Sequence, residues 1–441
     1  MQLVRTGRAH LSRLMKHPVA QNSAALYGVQ ICRKIFPIVS VPYLARTLLP
    51  AGWGTVAFVL SLGELVALMI EFGFNLSATR EISRERHNRE ACRDIMAGVL
   101  GAQAMLAVLG VSLALLAAHS ITLLKENPHL LLAGLFYAVA QGAAPLWFFQ
   151  GLERLRLAAA LEVAAKAVTL AALFVLVRTP SDAWKVVALQ AGAAGFSTVA
   201  GIGLALRSFS FRLPTIALVR DAIRRGWPMF VFRSAESLYG VANSFVLGLF
   251  AAPAIVGYFA AAEKISKAVF GLLSPVRDAL YPRLSYLAAS AEREAAKLAR
   301  IGIALMTAGG AVLSLLLAIA APWIIRTLAG PGFAPAVPVL RVMAALPLVL
   351  SVTYSAGLQW LLPLGRDRDV NRIILSGGIL NLAAAFLLAP RFGAMGMAMS
   401  VLSAELLVAA SMVWVVCRST SLLEEWLPGR TAALPDMGGA Q

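Results

Sequence analysis

Along most of the chain, apolar residues run on without the polar interruptions that a water-facing helix or strand requires. Residues 95–124, 127–152, 186–206, 237–262, 301–325 and 342–365 contain no Asp, Glu, Lys or Arg at all. Runs of that kind read as helices crossing a hydrocarbon core about 30 Å thick, which takes roughly 20 residues. With charge, Gly and Pro as boundaries, the pattern predicts twelve helices, near 24–44, 52–74, 96–118, 129–150, 157–177, 184–206, 227–250, 254–276, 300–324, 335–362, 371–389 and 394–417.

Composition supports this pattern. Of 441 residues, 59% are hydrophobic and 14% charged, against about 25% charged in a soluble domain. The net charge of +17 could suit a nucleic-acid ligand, but such a protein carries its Lys and Arg on a water-facing surface around a modest core. The uncharged runs leave no such core, so no nucleic-acid partner is expected. The basic residues instead set topology: 26 of the 39 Lys and Arg fall on one side of the predicted helices and six on the other. The basic-rich side is cytoplasmic, which places both termini inside a multi-pass membrane protein.

The segment 1–21, with Arg5, Arg8, Arg13 and Lys16 and no acid, reads as a basic amphipathic cytoplasmic tail resting on anionic lipid. A cleaved signal would need an apolar stretch soon after those charges; here it starts near Ala24 and is interrupted by Arg33 and Lys34. Cys32, Cys92 and Cys417 are too few and too widely spaced for a disulfide framework, and the five histidines show no ligand spacing. No metal or cofactor is expected.

The halves of the chain resemble each other. Pro50-Ala-Gly-Trp-Gly54 matches Pro253-Ala-Ile-Val-Gly257 at an offset of 203, which also maps Arg80 onto Arg283. Gly151-Leu-Glu-Arg154 matches Gly365-Arg-Asp-Arg368 at an offset of 214. Six helices per repeat is an even number, so both repeats enter the membrane in the same sense. The predicted fold is an all-α polytopic membrane protein, two six-helix lobes related by a pseudo-two-fold along the membrane normal. The expected division is a tail at 1–21, an N-lobe at 22–206, a cytoplasmic linker at 207–226, a C-lobe at 227–418 and a cytoplasmic tail at 419–441.

Charges inside the spans carry the functional information, because each costs about 2.5–3.5 kcal/mol at a helix centre unless compensated. Thirteen are found, and nine of them lie in spans one, two, seven and eight, which correspond under the repeat. Span one carries a polar stripe of Gln30, Arg33, Lys34, Pro37 and Ser40; span seven carries Arg233, Glu236, Ser237, Gly240 and Asn243 at the matching positions. Span two adds Glu64 and Glu71, and span eight adds Glu263, Lys264 and Lys267. Such residues face a bundle interior or water, never lipid. Arg233 with Glu236, Glu263 with Lys267, and Glu162 with Lys166 are spaced to neutralise each other, whereas Arg33 and Lys34 have no acid within a turn. The expected site is a hydrated cleft with Arg33, Lys34, Arg233, Lys264 and Lys267 as anion-binding cations. Glu64, Glu71, Glu236 and Glu263 are positioning or ion-coupling acids, and Gln30, Ser40, Ser237 and Asn243 are further polar contacts. No nucleophile–base constellation appears, so no covalent chemistry is expected and the chain does not read as an enzyme.

Val41-Pro-Tyr-Leu-Ala-Arg46, Gly54, Glu71-Phe-Gly-Phe74 and Ser77-Ala-Thr-Arg80 resemble the N-terminal signature of bacterial polysaccharide flippases. Trp147-Phe-Phe-Gln-Gly-Leu-Glu153, Gly257-Tyr-Phe-Ala-Ala-Ala-Glu-Lys264 and Tyr281-Pro-Arg283 extend the resemblance over about residues 22–417. These are the Wzx-type O-antigen and exopolysaccharide transporters of the multidrug/oligosaccharidyl-lipid/polysaccharide exporter superfamily. The resemblance implies movement of an undecaprenyl-pyrophosphate-linked oligosaccharide across the bacterial cytoplasmic (inner) membrane by alternating access, with ion coupling as in other members. It also implies a polysaccharide polymerase and glycosyltransferases as partners. The alternative within the superfamily is a cation-coupled multidrug exporter, which favours acids and aromatics over the five cations found here. A lipid II flippase typically has two more helices. A membrane-embedded polymerase or ligase would carry a large outer catalytic loop, and the longest predicted here is about a dozen residues.

Overall fold

The structure, a computed structural model, describes residues 18–209, 212–290 and 292–418, with side chains from Phe36 onward except at positions that include 235–239 and 288–293. Most of the expected basic tail and all of the tail 419–441 therefore lie outside the described residues. Within them every regular element is a helix, and eight helical segments are long and apolar enough to cross a membrane. The chain is a multi-pass membrane protein. The helices are α1 (Pro18–Glu71), α2 (Phe74–Glu85), α3 (Arg89–Ala118), α4 (Thr122–Glu126), α5 (Pro128–Gly142), α6 (Leu146–Gly151), α7 (Leu155–Leu176) and α8 (Ala183–Ser208). The second half continues with α9 (Ile216–Gly240), α10 (Asn243–Gly248), α11 (Pro253–Gly271), α12 (Ser274–Ser290), α13 (Glu292–Leu328), α14 (Ala336–Met343), α15 (Leu346–Tyr354), a π-helical turn (Ser355–Leu361) and α16 (Asp367–Arg418).

The two longest helices are each broken once. A straight helix of 54 residues would run about 80 Å, far more than a bilayer is thick. α1 therefore breaks at Leu49 (φ 58°, ψ 173°), just before Pro50, whose fixed φ starts the next helix. α16, at 52 residues, breaks at Gly393 (φ 55°, ψ −130°) three residues after Pro390. Each break falls where the sequence predicts a boundary between two spans.

Elsewhere the structure divides what the sequence reads as continuous. The predicted span 227–250 begins earlier, at Ile216, so part of the expected linker is helix; residues 216–225 hold no Gly or Pro to stop it. That span is also interrupted between Gly240 and Asn243. Span two ends at Glu71 and resumes as α2 after a two-residue turn at Phe72–Gly73; span eight ends at Gly271 and resumes as α12 after Leu272 and Leu273. The two turns fall at similar but not identical places, three residues out of register with the 203 offset.

The two halves of the sequence meet along the second part of α1 and α11. At the end expected to face outward, the paired Pro-x-x-x-Gly motifs lie backbone to backbone. A methyl placed on Gly54 would sit 1.7 Å from the carbonyl oxygen of Pro253, and one on Gly257 would sit 2.1 Å from that of Pro50. Only a hydrogen side chain permits this approach, as between closely packed membrane helices. One turn further along, Phe58 stacks on Phe245 at 5.3 Å. Near the opposite end, Phe72 stacks on Phe230 at 4.5 Å. One apolar core runs through both halves, from Leu48 and Phe58 to Phe259, Leu340 and Met397.

Candidate functional site

The charged residues expected from the sequence gather around the contact between the halves. Lys264 lies midway along α11, solvent-accessible yet ringed by protein. Its ammonium sits over the indole of Trp53 in the other half, 5.8 Å from the ring centroid, a favourable cation–π arrangement. Glu64, on α1, lies within electrostatic reach of Lys264 and accepts a hydrogen bond from the hydroxyl of Tyr137 on α5. Glu71 reaches across to α9, where Arg233 is 3.7 Å away. Lys264, Arg233, Glu64 and Glu71 thus sit where the two halves meet, Lys267 lies one turn on from Lys264, and the lysines are the most exposed of the five.

A second group is shut away from that space. Asn243 and Glu263 are 2% and 8% exposed, packed among helices of the second half rather than lining the cleft expected of them. The Asn243 amide donates to Glu263 Oε1 at 3.1 Å, and Asn381 on α16 donates to Asn243 Oδ1 at 2.9 Å. Lys267 closes the chain: its Nζ donates to Glu263 Oε1 at 2.8 Å and to the carbonyl of Gly240 at 3.1 Å. Burial explains the ladder, since a carboxylate out of water needs hydrogen-bonded partners of opposite charge or polarity. Ser40 is likewise buried. The side chains of Gln30, Arg33, Lys34, Glu236 and Ser237 lie outside the described residues.

The gap between α9 and α10 is satisfied from both halves. Lys267 takes the Gly240 carbonyl, while Ser61 on α1 donates its hydroxyl to the carbonyl of Val241 and accepts from the amide of Phe245 at 3.2 Å. Ser61 is the repeat counterpart of Lys264, one turn before Lys267, so corresponding helices reach the gap from nearby but different positions.

The sequence motifs acquire physical roles. Tyr43 donates to the carbonyl of Val177, just past the end of α7, at 2.6 Å, and Arg46 donates to the carbonyl of Thr327 in the last turn of α13. Both occupy carbonyls that a helix end leaves without partners. Thr79 donates to the carbonyl of Trp147 at 3.1 Å, and Arg86 pairs with Glu153 at 2.9 Å. The Ser77–Arg80 and Trp147–Glu153 motifs therefore pack together at the end expected to be cytoplasmic. Residues that sequence reasoning passed over are Trp53, Ser61, Tyr137 and Asn381. The repeat signals Ser61, the counterpart of Lys264; the other three are uncharged and scattered over separate helices.

Comparison with known proteins agrees with this architecture. The chain is 27% identical over 412 residues to a candidate O-antigen transporter of Escherichia coli (strain K12), covering 92% of this chain and 99% of the relative. It is 28% identical over 404 residues to the corresponding protein of Shigella dysenteriae, covering 90% and 99%. Its fold resembles a lipid II flippase, MurJ, in an inward closed conformation, with a TM-score of 0.68 at 12% identity over 92% of this chain and 89% of the other. It also resembles an inward-facing multidrug resistance MATE family transporter of the MOP superfamily, with a TM-score of 0.61 at 13% identity over 91% and 100%. The model of the family described as polysaccharide biosynthesis protein matches residues 19–288. That match takes in the whole first half, the Gly54–Gly257 contact and the lysines of α11, and the chain belongs to the polysaccharide biosynthesis protein family.

Proposed function

We propose that the chain is a flippase that carries undecaprenyl-pyrophosphate-linked oligosaccharide repeat units from the inner to the outer leaflet of the bacterial cytoplasmic membrane. The observation that carries the reading is the pair of exposed lysines midway along an apolar span, Lys264 and Lys267, the first of them lying over Trp53 of the other half. A pyrophosphate cannot cross hydrocarbon bare, and cations in a water-filled, partly low-dielectric space offset its charge. Twelve spans in two six-helix lobes, with both termini cytoplasmic, provide the frame. Arg233, Arg33 and Lys34 complete the cationic surface, and Glu64 and Glu71 hold the cations in position or exchange ions. The Gly54–Gly257 contact is then the closed outer end, and transport requires it to separate while the inner end shuts. The polyprenyl tail remains in lipid at the opening between the lobes. No bond is made or broken, so the chain acts as a transporter and not as an enzyme.

Measuring surface polysaccharide in cells that carry Arg33→Ala, Lys34→Ala, Lys264→Ala or Lys267→Ala tests this reading. Each is expected to reduce polysaccharide at equal protein abundance. Wild-type levels in all four overturn the cationic pathway. Resistance to cationic drugs that rises with expression, without any effect on polysaccharide, would favour the multidrug exporter instead. Ion coupling is tested separately, by collapsing the proton and sodium gradients in vesicles; an unchanged export rate removes it.

A further inference from the structure

The buried ladder in the second half has the chemistry of a cation site. A carboxylate oxygen, Glu263 Oε1, and a backbone carbonyl, that of Gly240, point at one position, and the Lys267 ammonium occupies it at 2.8 and 3.1 Å. The Gly240 carbonyl ends α9 in mid-span, where a helix presents the negative end of its dipole and carbonyls with no partner of their own. Interrupted membrane helices use such ends to hold cations. Glu263 is held in place from behind: Asn243 donates to the same oxygen and Asn381 fixes Asn243. All three of these residues are more than nine-tenths buried, whereas 47% of the Lys267 side chain is exposed.

The difference in burial sets the rigid part apart from the movable one. The acceptors are fixed; the cation is a flexible four-carbon arm, about half of it exposed. Nor is the site an architectural remnant of the repeat, because the positions corresponding to Glu263 and Lys267 are Leu60 and Glu64. We propose that Lys267 is an exchangeable internal cation. It fills the Glu263–Gly240 site while the cleft is empty and swings out to an anionic headgroup when one enters, leaving the site open to a small external cation. Loading of the cleft is thereby linked to cation uptake. The inference rests on the reading of the cleft as an anion site, although the cation site itself does not.

The test uses thermal melting of the full chain in lipid nanodiscs, in sodium, methylammonium or choline chloride at equal ionic strength. Lys267→Ala vacates the site and is expected to melt several degrees higher in sodium or methylammonium than in bulky choline. The double variant Glu263→Gln/Lys267→Ala, and the wild type with its site filled, show no preference. Lys267→Ser is a second vacating variant should Lys267→Ala fail to accumulate. Equal melting of the vacated protein in all three salts overturns the site. Undecaprenyl pyrophosphate is then added to the wild type, with undecaprenol as the control that has the tail but no anion. Exchange predicts that the pyrophosphate lipid alone gives the wild type the sodium or methylammonium preference of Lys267→Ala. If the pyrophosphate lipid stabilises the protein without creating that preference, the exchange is wrong while the anionic cleft stands. If it does not stabilise the protein at all, the anionic cleft and the exchange both fall, and the preference of the vacated variant still decides the cation site.

Discussion

Adding one methyl group at Gly54 tests the idea that the paired Pro-x-x-x-Gly motifs form an end that must open. In the structure that methyl would lie 1.7 Å from the Pro253 carbonyl oxygen and 2.6 Å from the Gly257 nitrogen, all backbone atoms that no rotamer change can move. Bringing the contact out to 3.0 Å, the shortest that real Cβ atoms show, means parting the two helices by about 1.3 Å, enough to forfeit much of their dispersion contact. Overpacking of this kind costs about 1–3 kcal/mol. Because the clash exists only when this end is closed, the whole of it acts on the closed–open equilibrium, shifting it roughly 5- to 150-fold at about 1.4 kcal/mol per tenfold. The helix-propensity gain of alanine, about 1 kcal/mol, is common to both states and does not offset it. Spin labels at Ser120 and Arg391, with Cys32, Cys92 and Cys417 replaced, report the separation by pulsed dipolar spectroscopy. The expected result is a new, longer distance population in Gly54→Ala and in Gly257→Ala. Gly203→Ala, whose methyl meets nothing within 4 Å, leaves the distribution unchanged. Superimposable distributions for Gly54→Ala and wild type would show that this contact does not govern opening of that end.

Three further substitutions separate buried from exposed polar contacts. Asn381→Leu removes the donor to a buried carbonyl oxygen and is expected to cost about 1–3 kcal/mol, read as a lower melting temperature; an unchanged melting temperature contradicts the ladder. Tyr137→Phe takes a hydrogen bond from the Glu64 carboxylate, worth about 1.5–3 kcal/mol to a charged acceptor, and is expected to slow export and lower stability together. Arg86→Ala breaks a pair with Glu153 in which both side chains are about half exposed. The expected change is under about 1 kcal/mol, and a large loss of stability would show that this contact does more than hold two surface groups together.

Much of the architecture is written in the hydrophobic pattern, because a bilayer leaves the backbone few choices. Uncharged runs must be helices, and a Pro or Gly between two of them must be where the chain turns, as at Leu49–Pro50 and Gly393. The internal repeat is also legible, and the 203-residue offset pairs the two glycines that touch in the structure. The interruption between Gly240 and Asn243 is not legible in the same way. A continuous apolar span and one broken in mid-membrane have the same composition, and what makes the break tolerable comes from elsewhere: Lys267 and Ser61 supply the partners for its backbone. Periodicity places Glu263 and Lys267 together and assigns both to the cleft. Burial separates them, because Asn381, more than a hundred residues away, completes a polar environment that lets Glu263 stay inside.

In the proposed function, cations between the two halves carry a lipid-linked anion across the membrane. Its most direct test is the transbilayer movement of an undecaprenyl-pyrophosphate-linked oligosaccharide in proteoliposomes, followed by the accessibility of the sugar on the far side. The wild-type protein is expected to move it, and Lys264→Ala/Lys267→Ala, folded and inserted equally, to move it at least about tenfold more slowly, the loss of about 1.4 kcal/mol of anion stabilisation. A double variant that matches the wild-type rate, or a wild-type protein that moves none, would contradict the cationic pathway.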